Sequence, residues 1–190
     1  MAAKKGRSAA VAKKGTGRVK ITSLAEVKRR AAKIRCLFLD IDGVMTDCKL
    51  YLTPDGEELK AVNVKDGLGI KMLMQAGVQV AVISGRPSLA MQKRLSSLGI
   101  EHVFLNAPDK LPAYDEVRKS LGLRDDECAH MGDDILDLPL FERVGLALAV
   151  ADAHSSAKKA ADWIADNRGG DGAIREVVDM ILAAQGKSPF

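Results

Sequence analysis

Two carboxylates, Asp40 and Asp42, lie where a short apolar run ends, and Gly43 follows them directly. The run, residues 36–39, is typical of a strand buried on both faces. Two acids separated by one residue at the end of such a strand can turn toward one site. A carboxylate can attack phosphorus as a nucleophile, and a second carboxyl group can protonate a leaving oxygen. This spacing indicates phosphoryl-transfer chemistry, although an Asp-rich turn would account for it as well.

A second group of acids follows a later apolar run that ends at Met131 and Gly132. It consists of Asp133, Asp134 and Asp137. Acids in the first turn of a helix complement the helix dipole, which would by itself account for Asp134 or Asp137. The dipole does not account for five carboxylates at the ends of two buried strands, because their mutual repulsion needs a counter-charge. Mg²⁺ binds one or two carboxylates together with phosphate oxygens and water, so the acids predict a magnesium site.

Two further strand ends carry groups that complement an anion. Ser84 and Gly85 follow one apolar run and open a helical segment, where a hydroxyl and backbone N–H groups can bind a phosphate. Lys110 follows the next run and can act as a point charge on a phosphoryl oxygen. A turn serine or a solvated lysine is common on its own, but together with the acids they indicate a phosphate site.

The elements that must position these groups alternate along the chain from Arg35 onward. Short apolar runs suited to buried strands cover residues 36–39, 78–83, 102–105, 128–131, 146–150 and 163–164. Segments with apolar residues at helical spacing cover residues 68–75, 89–98, 111–121, 135–141 and 155–161. The alternation predicts an α/β fold, a Rossmann-like doubly wound parallel sheet with helices on both faces. Such sheets bind ligands beyond the carboxyl ends of their strands, where the candidate residues lie.

One segment interrupts the alternation directly after the first strand. Residues 50–52, a Pro-Asp-Gly turn at 54–56 and residues 57–64 are typical of a β-hairpin. We expect a small β-hairpin flap over residues 48–64, above the carboxyl ends of the strands. Its apolar residues suit an interface between subunits, although a hairpin packed on its own domain would use them too.

Length and charge bound the organisation of the chain. Its 190 residues, 47% of them hydrophobic, suffice for one domain with a core, which we expect over residues 21–190. Residues 1–34 hold eleven Lys or Arg and one acid, so the basic net charge comes from this end. We expect residues 1–20 to be a disordered basic tail, with order beginning at a helix cap at Ser23. The tail has no aromatic residues among its basic ones, so we expect no nucleic-acid partner, although its charge would allow salt-dependent binding.

Composition excludes several other classes. No run approaches the roughly 18 apolar residues of a membrane span, and the N-terminus has no apolar leader, so we expect a cytoplasmic protein without membrane contact. Cys36, Cys48 and Cys128 are odd in number and unpatterned. They predict reduced core thiols rather than a disulfide framework or a zinc site. We likewise expect a structural role for His130, which lies inside a buried strand.

Four consecutive strand ends present Asp-x-Asp, Ser, Lys and Gly-Asp-Asp in that order. In this order the motifs resemble the haloacid dehalogenase (HAD) superfamily of phosphotransferases, over about residues 35–187. The resemblance is close to a small-capped branch of that superfamily that acts on acidic sugar phosphates. The stretches that carry it are 40–47, 63–71, 84–86, 132–134 and 169–176. It implies a HAD-like sheet with the flap as its small cap.

The resemblance implies a role for each residue of the predicted phosphate site. Asp40 would attack the phosphorus and form an aspartyl-phosphate, while Asp42 would protonate the leaving oxygen and later activate water. Asp40, the backbone carbonyl of Asp42 and Asp133 would bind Mg²⁺. Asp134 would orient a metal-bound water or Lys110. The residues that would bind the phosphoryl oxygens are Ser84 and Lys110.

For the sugar end of the substrate, the resemblance implies residues on the segment after the flap and on the helix after Ser84. These substrate-binding residues are Asp42, Asn63, Val64, Lys65, Asp66, Gly67, Lys71, Arg86, Arg94 and Lys110. Arg and Lys can pair with the carboxylate of a sugar acid. The expected activity is Mg²⁺-dependent hydrolysis of 3-deoxy-D-manno-octulosonate 8-phosphate to 3-deoxy-D-manno-octulosonate (KDO) and phosphate, in lipopolysaccharide biosynthesis. The resemblance also implies a homotetramer in which the flap lies between subunits.

Two alternatives stay open at this point. The first is the same chemistry on another acidic sugar phosphate, such as a nonulosonate 9-phosphate. Residues 105–109 depart from the Gln-Gly pair usual in the branch, and this bears on the substrate end of the pocket. The second is a non-catalytic phospho-receiver-type signalling domain, which also has acids, a Ser or Thr and a Lys around a phosphorylated Asp. Receivers place the paired acids and the phosphorylated Asp after different strands, whereas Asp40 and Asp42 follow one strand, which favours turnover.

Overall fold

The centre of the molecule is a parallel sheet of six strands, seen in a computed structural model that describes residues 23–187. The strands of the described chain are β1 (Cys36–Leu39), β2 (Tyr51–Leu52), β3 (Glu58–Leu59), β4 (Gln79–Ile83), β5 (His102–Phe104), β6 (Cys128–Gly132), β7 (Leu146–Ala149) and β8 (Trp163–Ile164). The sheet has the order β5-β4-β1-β6-β7-β8, and each neighbouring pair is parallel. The predicted doubly wound α/β fold is confirmed. The basic segment over residues 1–20, predicted to be a disordered tail, lies outside the described residues.

Helices connect the strands and flank the sheet. Between residues 23 and 187 they are α1 (Leu24–Ala31), α2 (Val64–Gln75), α3 (Leu89–Leu98), α4 (Leu111–Ser120), α5 (Leu138–Phe141), α6 (Ser155–Ala160) and α7 (Ala173–Ala184). Their ends follow signals in the sequence. The Ser23 side chain accepts a hydrogen bond from the N–H of Glu26, and α3 ends at Gly99 with a φ of 83°. None of these described helices is long and apolar enough to cross a membrane.

The order of the strands reverses at β1, which lies between β4 and β6. Leu39, the last residue of β1, pairs with Val82 on β4 and with Met131 on β6. Beyond the strand, the N–H of Asp40 still donates to the carbonyl of Met131 at 3.1 Å. Neighbouring strands therefore end at one level, and the loops that carry the predicted phosphate site leave the sheet side by side.

The strands are buried on both faces, as their apolar runs predict. All residues of β1, β6 and β7 are buried. Outside the sheet, α2 packs against α7. A Cβ at Gly69 of α2 would lie 3.0 Å from Cδ of Arg175 on α7, so this glycine lets the two helices approach closely.

The hairpin and the next helix differ from prediction in their bounds. In the flap predicted over residues 48–64, only β2 and β3 are paired, and α2 begins at Val64 rather than at residue 68. The helix begins early because Asn63 caps it, accepting a hydrogen bond from the N–H of Lys65 at 2.8 Å. The first turn has few apolar residues, so hydrophobic spacing alone could not reveal it.

Two of the three cysteines are core thiols, as predicted, and the third is not. Cys36 and Cys128 are buried and stand opposite each other on β1 and β6. Burial raises the pKa of Cys128 to about 11, which keeps this thiol protonated. The prediction for Cys48 is wrong: its side chain is exposed, because Cys48 lies in the loop between β1 and β2 and not in a strand of the core.

Candidate active site

Asp40 begins the loop after β1, residues 40–47, which we call the catalytic loop. Its Oδ1 accepts a hydrogen bond from the N–H of Ile41 at 2.7 Å, and its Oδ2 lies 2.8 Å from Nζ of Lys110. Burial raises the pKa of Asp40, and the charge of Lys110 opposes that rise. The cation therefore favours the carboxylate, which is the form that a nucleophile needs.

Lys110 is buried, with its side chain 1% exposed. Besides Asp40, its Nζ contacts Oδ1 of Asp137 at 2.6 Å. Burial alone would lower the pKa of Lys110, but the two carboxylates raise it. The ammonium is thus charged and fixed beside the predicted nucleophile, where it can bind a phosphoryl oxygen.

Asp137 connects the residues of this cluster. On Oδ1 its fully buried carboxylate accepts a hydrogen bond from Lys110 and lies 2.7 Å from Nε2 of His130. On Oδ2 it accepts from the N–H groups of Asp133 and Asp134, at 2.9 and 3.1 Å. Burial works to raise the pKa of Asp137, but the bonds from His130 and Lys110 hold it well below its usual range.

The sequence did not reveal the contact between Asp137 and His130. The helix dipole was enough to explain an acid at position 137. For His130, a place inside a buried strand was enough to explain a structural role. A signal was present in Gly132, the last residue of β6, five residues before the acid. A Cβ at Gly132 would overlap the Asp137 carboxylate, so the glycine lets that side chain fold back onto the strand end.

The acids of the cluster can hold a cation. Oxygens of Asp40, Asp133 and Asp137 all lie within 4.8 Å of one another. Asp137 is buried, whereas Asp40 and Asp133 are half-buried, so the carboxylates of Asp40 and Asp133 are the ones that a metal can reach. Burial, together with the charges of Asp40 and Asp137, raises the pKa of Asp133 to about 8. A hard divalent cation stabilises such a carboxylate, and this donor set fits the predicted Mg²⁺, whereas the backbone carbonyl of Asp42 as a third ligand stays a prediction.

Glycines let the catalytic loop approach the predicted metal site. Gly43 has a φ of 86°, and a Cβ there would overlap the carboxylate of Asp133. A Cβ at Gly169 would overlap the carbonyl of Gly43 from the other side. The N–H of Gly170 donates to the carbonyl of Val44 at 2.9 Å. Residues 169–172, which we call the glycine-rich segment, therefore pack directly against the catalytic loop.

Ser84 lies at the end of β4 and is buried. Its N–H donates to the carbonyl of Phe104, and its carbonyl accepts from the N–H of Ala107, both at 2.9 Å. Its Oγ accepts from the N–H of Arg86 at 3.4 Å. The loop that leads to Lys110 is thereby tied to the strand end that carries Ser84, so both predicted phosphate-binding residues stand at one edge of the sheet.

Asp42, the predicted acid, contacts the flap. Its Oδ1 accepts a hydrogen bond from Nζ of Lys60. Lys60 also contacts Glu58 at 2.6 Å, and Glu58 contacts Arg86 at 2.8 Å. Neither Lys60 nor Glu58 was among the predicted residues, because nothing in the local sequence relates the flap to a carboxylate before it.

Three of the predicted substrate-binding residues begin α2. Asn63 lines a cavity of about 440 Å³ together with Asp47 and Gly169, beside the catalytic loop. Val64 and Lys65 follow and are exposed. A cavity of this size, with polar residues at its wall, suits a small polar ligand.

Other predicted substrate-binding residues contact neighbouring helices. Arg94 on α3 lies over Gly67 on α2, where a Cβ would overlap its guanidinium. Asp66 is buried and accepts from the N–H groups of Gly172 and Arg175, at 3.3 and 2.8 Å. In the single chain, the Asp66 carboxylate therefore caps the start of α7.

Two predicted residues lie toward the surface. Lys71 is exposed and lines a cavity of about 530 Å³ with Gln75 and Gln79, at the amino end of β4. The single chain therefore does not bring Lys71 to Asp40, Ser84 and Lys110. The side chain of Asp134 is 58% exposed and accepts from the N–H of Ile135 at 2.7 Å. Its orienting role stays a prediction.

Known proteins share this sequence and geometry. Residues 106–177 match the family profile of the haloacid dehalogenase-like hydrolases. The 3-deoxy-D-manno-octulosonate 8-phosphate phosphatase of Escherichia coli strain K12 is 43% identical over 163 residues, which are 86% of this chain and 87% of that protein. The crystal structure of the phosphatase of that name from Yersinia pestis has a TM-score of 0.84 at 45% identity, over 85% of this chain and 88% of that one.

A further solved structure holds ligands. It is the 3-deoxy-D-manno-octulosonate 8-phosphate phosphatase of Moraxella catarrhalis, in complex with a magnesium ion, a phosphate ion and KDO. Its TM-score is 0.84 at 35% identity, over 86% of this chain and 94% of that one. Identity of this extent over most of both chains establishes common descent. The chain belongs to the haloacid dehalogenase-like hydrolases, in the family of the 3-deoxy-D-manno-octulosonate 8-phosphate phosphatases.

Proposed function

We propose that this protein hydrolyses 3-deoxy-D-manno-octulosonate 8-phosphate to KDO and inorganic phosphate. The observation that carries the proposal is the pair of Asp40 and Lys110 at the end of β1, with Asp42 nearby as a separate carboxyl group. Asp40 can serve as the nucleophile and Asp42 as the acid and then the base. Relatives at 43% and 45% identity carry this substrate in their names.

The reaction has two steps. First, an oxygen of Asp40 forms a bond to phosphorus while the bond from phosphorus to the sugar oxygen breaks. The departing oxygen takes the electron pair of that bond and the proton of Asp42. Then Asp42 removes a proton from a water whose oxygen attacks phosphorus, and Asp40 is released with inorganic phosphate. Ser84 and Lys110 bind the phosphoryl oxygens in both steps, and Mg²⁺, when bound, neutralises charge on the phosphoryl group.

The sugar end of the substrate is proposed to lie among the flap, α2 and α3. Arg86 and Arg94 carry charges that can pair with the substrate carboxylate. The Arg86 side chain is 47% exposed, so a ligand can reach it. Asn63 offers a polar wall in the cavity beside the catalytic loop. A nonulosonate 9-phosphate carries the same carboxylate and is the competing substrate.

Phosphate release in the presence of Mg²⁺ tests the substrate and the chemistry together. We expect turnover of the eight-carbon substrate that a chelator removes and that Asp40→Asn abolishes, because the amide cannot attack phosphorus. Asp126→Asn makes the same change at a remote surface acid and should keep activity. A preference of more than about tenfold for the nonulosonate 9-phosphate would reassign the substrate. A stable phosphoprotein without turnover would instead identify a signalling receiver.

We also propose a homotetramer in which the flap lies between subunits. Support comes from Leu50, Tyr51, Leu52 and Leu59, whose exposure ranges from 43% to 65%. An exposed apolar surface of this kind is typical of an interface between proteins. Val62 belongs to the same segment but packs against the core of its own chain. Light scattering gives the mass in solution, and a monomer would contradict this assembly.

With this activity we propose a cytoplasmic location, a place in lipopolysaccharide biosynthesis and a single catalytic domain over residues 21–190. The free thiols of Cys36 and Cys128, side by side on adjacent strands, suit a reducing compartment. Between residues 23 and 187, one six-stranded sheet and one core of buried residues, with the flap as a small second sheet, support a single unit. Cell fractionation tests the location. Deletion of the gene tests the place in the pathway, because the substrate should then accumulate. A single unfolding transition would support the single domain.

A further inference from the structure

We propose that Lys60 is a positioning residue for Asp42, holding one oxygen of that carboxyl group so that the other delivers the proton to the departing sugar oxygen. The inference rests on the proposed phosphatase chemistry. Lys60 belongs to the flap. The flap would therefore take part in proton transfer and would not only cover the ends of the strands.

The contact between Lys60 and Asp42 is built into the flap. Nζ of Lys60 donates to Oδ1 of Asp42 and lies 2.6 Å from Oε1 of Glu58. The Lys60 side chain is only 2% exposed, and that of Asp42 is 22% exposed. Withdrawing an ammonium from water costs free energy unless it is paired. Two carboxylates pair it here, so its position is determined by the site and not by solvent.

The two oxygens of Asp42 have different surroundings. Oδ1 bonds to Lys60, whereas Oδ2 has no hydrogen-bond partner within residues 23–187. A carboxyl proton cannot lie between Oδ1 and an ammonium, because both groups would then be donors. The acidic proton is therefore confined to Oδ2, the oxygen that no donor from the described residues contacts. A proton confined to one oxygen is aligned before the substrate arrives.

Lys60 also complements the charge that Asp42 develops. As the proton leaves, the carboxyl group becomes a carboxylate beside an ammonium that is already in place. Charges organised in advance stabilise a transition state without rearrangement. Glu58 holds Lys60 from the other side and also contacts Arg86 at 2.8 Å. Lys60 and Glu58 therefore connect Asp42 to Arg86, a predicted substrate-binding residue.

This role predicts a dependence on the leaving group. The alkyl oxygen of a sugar leaves poorly unless it receives a proton, so its departure needs a well-placed acid. A nitrophenolate is stable as an anion and leaves without a proton. Loss of Lys60 should therefore slow the first reaction and largely spare the second. A residue needed only to fold the flap would affect both reactions alike.

The experiment measures kcat/KM with Mg²⁺ on the sugar phosphate, on phenyl phosphate and on p-nitrophenyl phosphate. We expect Lys60→Met to lose about tenfold on the sugar phosphate, a smaller factor on phenyl phosphate, whose phenolate leaves more readily than an alkoxide, and less than about threefold on p-nitrophenyl phosphate. Lys60→Arg keeps a cation on Oδ1 and should recover most of the loss. Lys33→Met is the matched control, because Lys33 is an exposed lysine paired with Asp126 at 3.9 Å, at the amino end of the sheet.

Equal losses on all three substrates, or no loss, would overturn the proposal. Glu58→Gln removes a charge that pairs with Lys60, so it should give smaller losses of kcat/KM in the same order among the three substrates. This variant keeps the test valid if Lys60→Met does not fold. A wild type that hydrolyses both aryl phosphates but not the sugar phosphate would refute the proposed substrate alone, since the two aryl compounds still test Lys60. A wild type inactive on all three would refute both proposals.

Discussion

At the scale of single residues, one carboxylate determines how the site is built. Asp137 accepts hydrogen bonds from Lys110 and from the N–H groups of Asp133 and Asp134, and contacts His130. The first three of these donors belong to residues predicted to meet the phosphoryl group, the metal or its bound water. His130 is different, because it reaches the reaction only through Asp137. Its expected function is to keep that carboxylate in place.

Replacing His130 by Phe keeps an aromatic ring beside Phe141 but removes the contact with Asp137. We expect the free energy of unfolding to fall by about 1–3 kcal/mol, because a buried charged group loses a partner. We expect kcat to fall about tenfold, because Lys110 shifts with Asp137. In His130→Gln the amide nitrogen can replace Nε2, so this variant should recover most of the lost stability and most of the lost kcat. Urea unfolding and steady-state kinetics measure the effects, and a wild-type kcat in the Phe variant would argue against the positioning role.

Asp133 gives the metal-free protein a stability that depends on pH. Its pKa rises from 3.8 to about 8 on folding, so between these values the folded chain binds a proton that the unfolded chain has lost. The stability of chelated protein therefore falls as the pH rises through this window. Mg²⁺ binds the carboxylate form and should reverse the trend. Thermal unfolding over the window measures the slope, Asp133→Asn should flatten it, and an unchanged slope in that variant would exclude Asp133 as its source.

At the scale of elements, hydrophobic patterning predicted the parts of the fold that burial determines. β1 and α3 have the bounds predicted for residues 36–39 and 89–98, because an apolar run or an apolar stripe marks each of them. The start of α2 is set by a side-chain cap at Asn63 and not by burial. A polar cap after a hairpin looks like any other loop residue, so the pattern placed this helix start too late.

In the site, too, the sequence predicted the residues that the sheet positions but not those positioned by side-chain contacts. The residues predicted at strand ends, such as Asp40, Ser84 and Lys110, lie at one edge of the sheet because parallel strands place their carboxyl ends there. Lys60 and Asp137 reach the site from the flap and from a turn. The contact of Lys60 with Asp42 joins residues 18 positions apart, and that of Asp137 with Lys110 joins residues 27 positions apart. Only the folded chain brings these residues together.

The glycine-rich segment and the catalytic loop are coupled by a close backbone approach. Gly169→Ala places a Cβ against the carbonyl of Gly43, so we expect a loss of about 1–3 kcal/mol in stability and a lower kcat as the loop shifts. Gly122→Ala is the control, because it strains a φ of 62° but has nothing within 4 Å of the new Cβ. It should lower stability and leave kcat unchanged. Denaturant unfolding and phosphate release separate the two effects, and a normal kcat for Gly169→Ala would mean that the loop adjusts.

At the scale of the whole molecule, the polar site and an exposed apolar surface meet in the flap. Lys60 joins the flap to Asp42, while Leu50, Leu52 and Leu59 of the same hairpin are exposed. A two-stranded hairpin has little stability of its own in water. The flap therefore needs support on both sides, from its contact with Asp42 on one and, in the assembly we propose, from a neighbouring subunit on the other.

Leu52→Lys tests that support, because Leu52 is 65% exposed and a charge there opposes burial in an interface. We expect a smaller mass by light scattering and a fall in kcat/KM on the sugar phosphate that is larger than on p-nitrophenyl phosphate, since an unsupported flap no longer holds Lys60 against Asp42. Leu24→Lys makes the same change at a residue that is 57% exposed on α1, and it should keep both mass and activity. A Leu52→Lys variant of unchanged mass would show that the flap is not the interface. One that dissociates and keeps its activity would show that the flap holds Asp42 without help from a neighbour.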